Sequence, residues 1–247
     1  METENEVNIY TSSYKLQFMD NFKVVCLDFD NVIIDDSVSR FLSMVGSRIE
    51  KLKIEIDFLQ DNMEPRKFFK LAKRMAMLGK GMDYEALCEM MIKKVRITKG
   101  ARHLLSRLDK DGHKIVIVST NDGKFIRKVL EKENLMGYVD HIYASELVEK
   151  NGILTGEIRG DVVKTEKKGS VKKVMRLFKV KKNNIVYIGD GLTDIPIMKM
   201  VGRSILFRPN LITRAEVLKD KVLRKIEKDG RLFVVHEDNL MHTLKFM

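Results

Sequence analysis

Lys23-Val24-Val25-Cys26-Leu27-Asp28-Phe29-Asp30-Asn31-Val32 is the stretch on which the reading of this chain turns. A run of apolar residues leads directly into two carboxylates with one residue between them. Continuous apolar sequence of this length suits a parallel strand covered on both faces. Two acids at its carboxyl end lie where open α/β sheets gather their ligands. Held that close they repel, unless a cation or a shared proton intervenes. Alone, Asp-x-Asp serves equally well as a turn or a cap, so its meaning depends on the rest of the chain.

Upstream, residues 1–20 read as a polar extension whose acidic start is unlike a secretory signal. Downstream, Val38, Phe41, Leu42, Val45, Ile49, Leu52, Ile56 and Leu59 recur at three- and four-residue steps, which predicts one long amphipathic helix. Pro65 opens a second helix that Gly79-Lys80-Gly81 closes, and Tyr84, Leu87, Met91 and Val95 mark a third. Three helices with no strand between them predict a small helical unit over residues 37–98.

The pattern then changes. Strands are expected at Lys114–Ser119, His141–Ala144, Asn184–Ile188, Ser204–Phe207 and Leu232–Val235, with helices at 124–133 and 170–178 and a terminal helix. Asn151-Gly152 signals a hairpin pairing Leu147-Val148 with Ile153-Leu154. Strands alternating with helices imply a parallel sheet. The fold class expected is therefore α/β, a Rossmann-like core (21–36 and 99–247) with the helical unit inserted after the first strand.

With 247 residues the chain can build a large core, and no apolar run approaches a membrane span. Cys26 and Cys88 are unpaired in spacing and read as buried hydrophobes. A cytoplasmic protein is expected. The net charge of +11 raises the question of a nucleic-acid partner. Basic residues are scattered, with a concentration from Lys164 to Lys182, and no aromatic residues interleave them; they read as solvated helix faces that also attract anions.

The chemistry collects at strand ends. Ser119-Thr120-Asn121-Asp122 offers a hydroxyl and backbone N–H groups to an anion. Gly189-Asp190-Gly191-Leu192-Thr193-Asp194 ends another strand with two more carboxylates in a tight glycine turn, and Lys168 opens the helix before it. Separately, each has an ordinary structural role. Together, four carboxylates, an anion site and a lysine fall at one end of one sheet, and hard oxygen ligands of this kind suit Mg²⁺.

At this point the sequence resembles the haloacid dehalogenase superfamily of phosphotransferases. The resemblance rests on Asp28-Phe29-Asp30-Asn31-Val32, Ser119, Lys168 and Gly189-Asp190 through Asp194, in that order. Within it the chain is similar to the phosphoserine phosphatases, on Ile153–Glu157, Lys168-Gly169 and Gly189-Asp190-Gly191. The resemblance implies a Mg²⁺-dependent phosphomonoesterase of a small phosphorylated metabolite. Asp28 would attack phosphorus, and Asp30 would serve as acid and then base. Asp28, the Asp30 backbone, Asp190 and Asp194 would hold the metal. Ser119, Thr120 and Asn121 would hold the phosphoryl group, with Lys168 neutralising charge. The cap glutamate of that subgroup falls on Ser37, which departs from it, and its cap arginine corresponds to Arg74. A phosphotransferase or mutase on the same site, or a non-catalytic binding protein, stands as the alternative. Nothing in the sequence separates a monomer from a homodimer.

Overall fold

The structure, a computed structural model, describes residues 22–46, 53–54, 65–164 and 167–247. Seven strands form one sheet: β1 (Val24–Leu27), β2 (Lys114–Asp122), β3 (His141–Lys150), β4 (Ile153–Arg159), β5 (Ile185–Gly189), β6 (Arg203–Phe207) and β7 (Leu232–Val235). Their order is β4-β3-β2-β1-β5-β6-β7, all parallel except the β3–β4 hairpin.

The helices among the described residues are α1 (Ser37–Val45), α2 (Pro65–Leu78), α3 (Tyr84–Lys94), α4 (Ala101–Lys110), α5 (Gly123–Lys132), α6 (Asp161–Lys164), α7 (Lys168–Leu177), α8 (Ile195–Met198), α9 (Leu211–Lys219) and α10 (Lys221–Lys228). α1, α2, α3 and α4 lie between β1 and β2 in the chain, the first three within residues 37–98.

Side-chain alternation divides the interior into two layers. Val25 and Leu27 join Ile115, Ile117, Val186 and Ile188 in one cluster, which the buried residues of α3, α4 and α5 complete. Val24 and Cys26 join Val116, Val118, Ile185 and Tyr187 in the other, against α7, α8, α9 and α10. No residue of β1 is exposed by more than 1%, which is why its sequence is a continuous apolar run.

β1 is also where the strand order reverses. The chain runs from β1 outward through β2 and β3, then returns to β5 on β1's other side. Connections on opposite faces diverge there and leave a crevice beyond the carboxyl ends of β1 and β5.

Several sequence expectations are corrected. The long first helix stops at Val45, where Gly46 turns to φ −109°, ψ 154°; glycine is a poor helix former, and here it ends the run. The apolar positions Ile49, Leu52, Ile56 and Leu59 lie outside the described residues, as does the extension 1–20; Ile54 is helical and packs with Leu42 and Leu71. The hairpin turns at Asn151 (φ 53°) and Gly152 (φ 80°), the two left-handed positions of a type I′ turn. Its arms are longer than expected: Lys150 faces Ile153, and after a shift between Leu147 and Glu149, Leu147 faces Ile158. The terminal helix is a 3₁₀ segment, Leu240–Phe246, with Phe246 stacked on Phe233 at 4.6 Å. α9 and α10, which the sequence reading left unassigned, are separate helices because Asp220 caps the second through the Val222 and Leu223 N–H groups.

Candidate active site

The backbone of β1 holds its ladder one residue past the strand, the Asp28 N–H donating to Ile188 O at 2.9 Å. That bond fixes Asp28 at the floor of the crevice, 6% exposed. Beyond it the chain curls, with Ile33 and Ile34 N–H both donating to Phe29 O and Asn31 in a left-handed conformation (φ 57°).

From the neighbouring strand, Asp194 folds back over Gly189. Its Oδ2 accepts from the Asp190 and Gly191 N–H groups, each at 3.0 Å, and its Oδ1 accepts from the Tyr187 hydroxyl at 2.6 Å. The carboxylate oxygens of Asp28, Asp190 and Asp194 lie within 4.8 Å of one another.

Among the described residues, Lys167 answers them. The Nζ of Lys167 reaches Asp28 Oδ2 at 2.7 Å and Asp194 Oδ1 at 2.6 Å, from a side chain with no exposure. This corrects the expectation for Lys168, which is exposed on the first residue of α7. The cause is backbone conformation. Lys167 sits in the left-handed region at φ 62°, just before the helix, and the chain turns there so that Lys167 enters the crevice and its neighbour does not.

Three carboxylates against one ammonium leave, when all are ionised, a surplus of two negative charges. Burial first, and the neighbouring charges second, shift two of these carboxyls and the ammonium. Burial raises the Asp28 carboxyl to about 7, with Asp194 adding to that and Lys167 opposing it. Asp190 is pushed well above the ordinary carboxylate range by burial and by the charges of Asp194 and Asp28. For Lys167, burial works against the charge but Asp194 and Asp28 outweigh it, and the ammonium is held above its usual value. An all-oxygen set with surplus negative charge fits a hard divalent cation.

Asp30 stands apart from that cluster. Its Oδ1 accepts from the Ser37 N–H at 3.1 Å and the Ser37 hydroxyl at 2.5 Å, and its Oδ2 accepts from Asn121 Nδ2 at 2.8 Å. Burial raises its carboxyl, against those hydrogen bonds.

On β2, Ser119 is buried, and its Oγ accepts from the Asn121 N–H at 3.2 Å. Thr120 and Asn121 are half-buried, and their carbonyls accept from the Ser145 hydroxyl at 2.7 and 2.9 Å. Asp122 caps α5 through the Phe125 N–H, and accepts from Leu147 N–H and from the Tyr84 hydroxyl, tying α3 to the end of β2. Arg74 lies half-buried on α2, the helix that packs against β4 and α6.

Of the residues named from sequence, the structure gathers Asp28, Asp190 and Asp194 in one cluster and pairs Asp30 with Asn121; Lys167 and Tyr187 are not among those named, and Ser37 is named only as the position of the cap glutamate. Tyr187 reads as one more apolar strand residue, and only its position opposite Asp194 gives its hydroxyl a task.

Strand order and acidic crevice together define a doubly wound α/β core with its candidate site at the β1/β5 switch point. The sequence profile of the haloacid dehalogenase-like hydrolases matches residues 25–199. A phosphoserine phosphatase of Methanocaldococcus jannaschii is 28% identical over 211 residues, spanning 83% of this chain and 96% of that protein. Another, from Archaeoglobus fulgidus, is 28% identical over 217 residues, 84% of this chain and 57% of that protein. A solved structure of a phospho-aspartyl intermediate analogue of phosphoserine phosphatase shares the fold, with a TM-score of 0.72 at 23% identity over 92% of this chain and 99% of that one. The chain belongs to the haloacid dehalogenase-like hydrolases, and the relatives it matches there are phosphoserine phosphatases. It is a hydrolase of the phosphatase type. Among the described residues no helix is long and apolar enough to cross a membrane.

Proposed function

We propose that this protein is a Mg²⁺-dependent phosphomonoesterase that works through an aspartyl-phosphate on Asp28. The observation that carries the proposal is the placement of Asp28. Its carboxylate lies beside both Asp190 and Asp194 and is paired with the buried Lys167. An isolated carboxylate is a weak nucleophile toward a phosphate dianion, because both are anionic; cationic surroundings remove that repulsion.

Asp28, Asp190 and Asp194, with the Asp30 carbonyl, would hold the metal, which when bound neutralises phosphoryl charge. Lys167 takes the part expected of Lys168: it pairs with Asp28 and Asp194 and faces the charge that builds on the transferring group. Ser119, near the carboxyl end of β2, would hold a phosphoryl oxygen. An Asp28 oxygen forms the bond to phosphorus as the ester P–O bond breaks, and Asp30 gives its proton to the leaving oxygen. Asp30, then ionised, takes a proton from the water that attacks phosphorus and releases Asp28.

The helices of residues 37–98 serve in this reading as a cap over the crevice, with Arg74 as the contact to an anionic group on the substrate. The substrate class is a small phosphorylated metabolite. Phosphoserine, the substrate in the name of the M. jannaschii relative, is one candidate.

Phosphate release from a panel of phosphomonoesters, with Mg²⁺ and after chelation, tests the activity. Release only with the metal supports the reading; no release from any member by folded protein overturns it. A loss on phosphoserine in Arg74→Ala, with aryl phosphate turnover kept, assigns the carboxylate contact to Arg74. An equal change on both removes it.

A further inference from the structure

Three hydrogen bonds hold the Asp30 carboxylate. The groups that hold it come from two distant parts of the chain: the first residue of α1 and the carboxyl end of β2. Ser37 is 1% exposed. Its N–H and its hydroxyl both donate to Asp30 Oδ1. Asn121 Nδ2 donates twice, to Asp30 Oδ2 and to Ser37 Oγ, each at 2.8 Å. The orientation of that amide is not arbitrary, because Asn121 Oδ1 accepts from the Asp122 N–H at 2.7 Å, which forces Nδ2 toward Asp30. Ser119 Oγ and Ser145 Oγ anchor the Asn121 backbone on either side.

A carboxylate oxygen accepts about two hydrogen bonds in good geometry. Oδ1 has both, whereas Oδ2 has one and keeps a lone pair free. We propose that Ser37 and Asn121 are positioning residues that saturate Asp30 Oδ1 and aim Oδ2, so that the proton given to the leaving oxygen, and later taken from water, is always the one on Oδ2. This rests on the reading of Asp30 as the general acid. Asn121, expected from sequence to hold phosphate, is assigned instead to Asp30.

A proton donor matters in proportion to how poor the leaving group is. An alkoxide must be protonated as it departs, whereas nitrophenolate leaves unaided. The test compares kcat/KM, which reports the phosphorylation step, for an alkyl phosphate and for 4-nitrophenyl phosphate with Mg²⁺. Asp30→Asn sets the reference and is expected to lose far more on the alkyl ester. Ser37→Ala and Asn121→Leu are expected to lose roughly 10- to 100-fold on the alkyl ester, a fraction of the full general-acid effect, and less than about 3-fold on the aryl ester. Ser37→Thr, which keeps the hydroxyl, is expected to restore the alkyl activity. Melting curves confirm that each variant is folded, and Ser37→Thr keeps the test decisive if Asn121→Leu is not.

If Asp30→Asn discriminates between the esters and the Ser37 and Asn121 variants do not, the positioning role is overturned and the general acid stands. If Asp30→Asn does not discriminate either, the general-acid reading fails and this proposal fails with it.

Discussion

Asp194 is pressed so closely against Gly189 that a Cβ on Gly189 would fall 2.4 Å from the Asp194 carboxyl carbon. The glycine is required here by space, since β5 must end flush against the carboxylate that receives the Asp190 and Gly191 N–H groups.

Gly189→Ala is therefore expected to push Asp194 out of its three-way contact with Tyr187, Lys167 and the turn. The cost is expected to be about 1–3 kcal/mol, the usual range for overpacking a filled core. Phosphate release should fall with it. Chemical denaturation measures the first and a steady-state assay the second; a variant as stable as wild type would show that the turn can relax.

The two adjacent lysines should behave very differently. Lys167→Met leaves Asp28 and Asp194 buried without their shared cation, and breaking a buried pair costs roughly 3–5 kcal/mol. Activity is expected to drop by at least about 10²-fold, the scale of losing an electrostatic group at a reacting centre. Lys168→Ala, on the exposed start of α7, is expected to change kcat less than about 3-fold, in keeping with surface substitutions. Parallel assays of both variants decide it, and the reverse ranking would return the role to Lys168.

That contrast also marks the limit of what the sequence discloses. Asp28, Asp190 and Ser119 are legible because an apolar strand followed by a polar group at its carboxyl end specifies position as well as chemistry. Lys167 and Lys168 carry the same chemistry, and a single left-handed dihedral decides which one enters the crevice. Helix ends are hidden for a related reason: the apolar rhythm from Val38 to Leu59 continues past Gly46, while the backbone leaves the helix there. Asn121 shows the third kind of loss. Its place near the carboxyl end of β2 could be read, but its partner is Asp30, 91 residues away, and pairings across that distance are set by the sheet order.

The buried thiol of β1 gives a stability prediction in pH. Burial pushes the Cys26 thiol from 9.0 to about 12. Below pH ~9 neither state ionises and its contribution is fully present. Between ~9 and ~12 the unfolded chain loses the proton first, so stability falls by up to about 1.4 kcal/mol per pH unit from this group. Cys26→Ala should start lower, because a core atom is lost, but decline less steeply. Urea midpoints measured from pH 8 to 11 read the slope; equal slopes would show that Cys26 does not titrate in this window.

The central claim is the bond to Asp28. Rapid acid quench during turnover of 4-nitrophenyl phosphate, followed by digestion and mass spectrometry, reads it directly. The account predicts one phosphoryl mass on the peptide containing Asp28, absent without Mg²⁺ and absent in Asp28→Asn. Continued phosphate release by Asp28→Asn, or a phosphoryl group on any other residue, would contradict it.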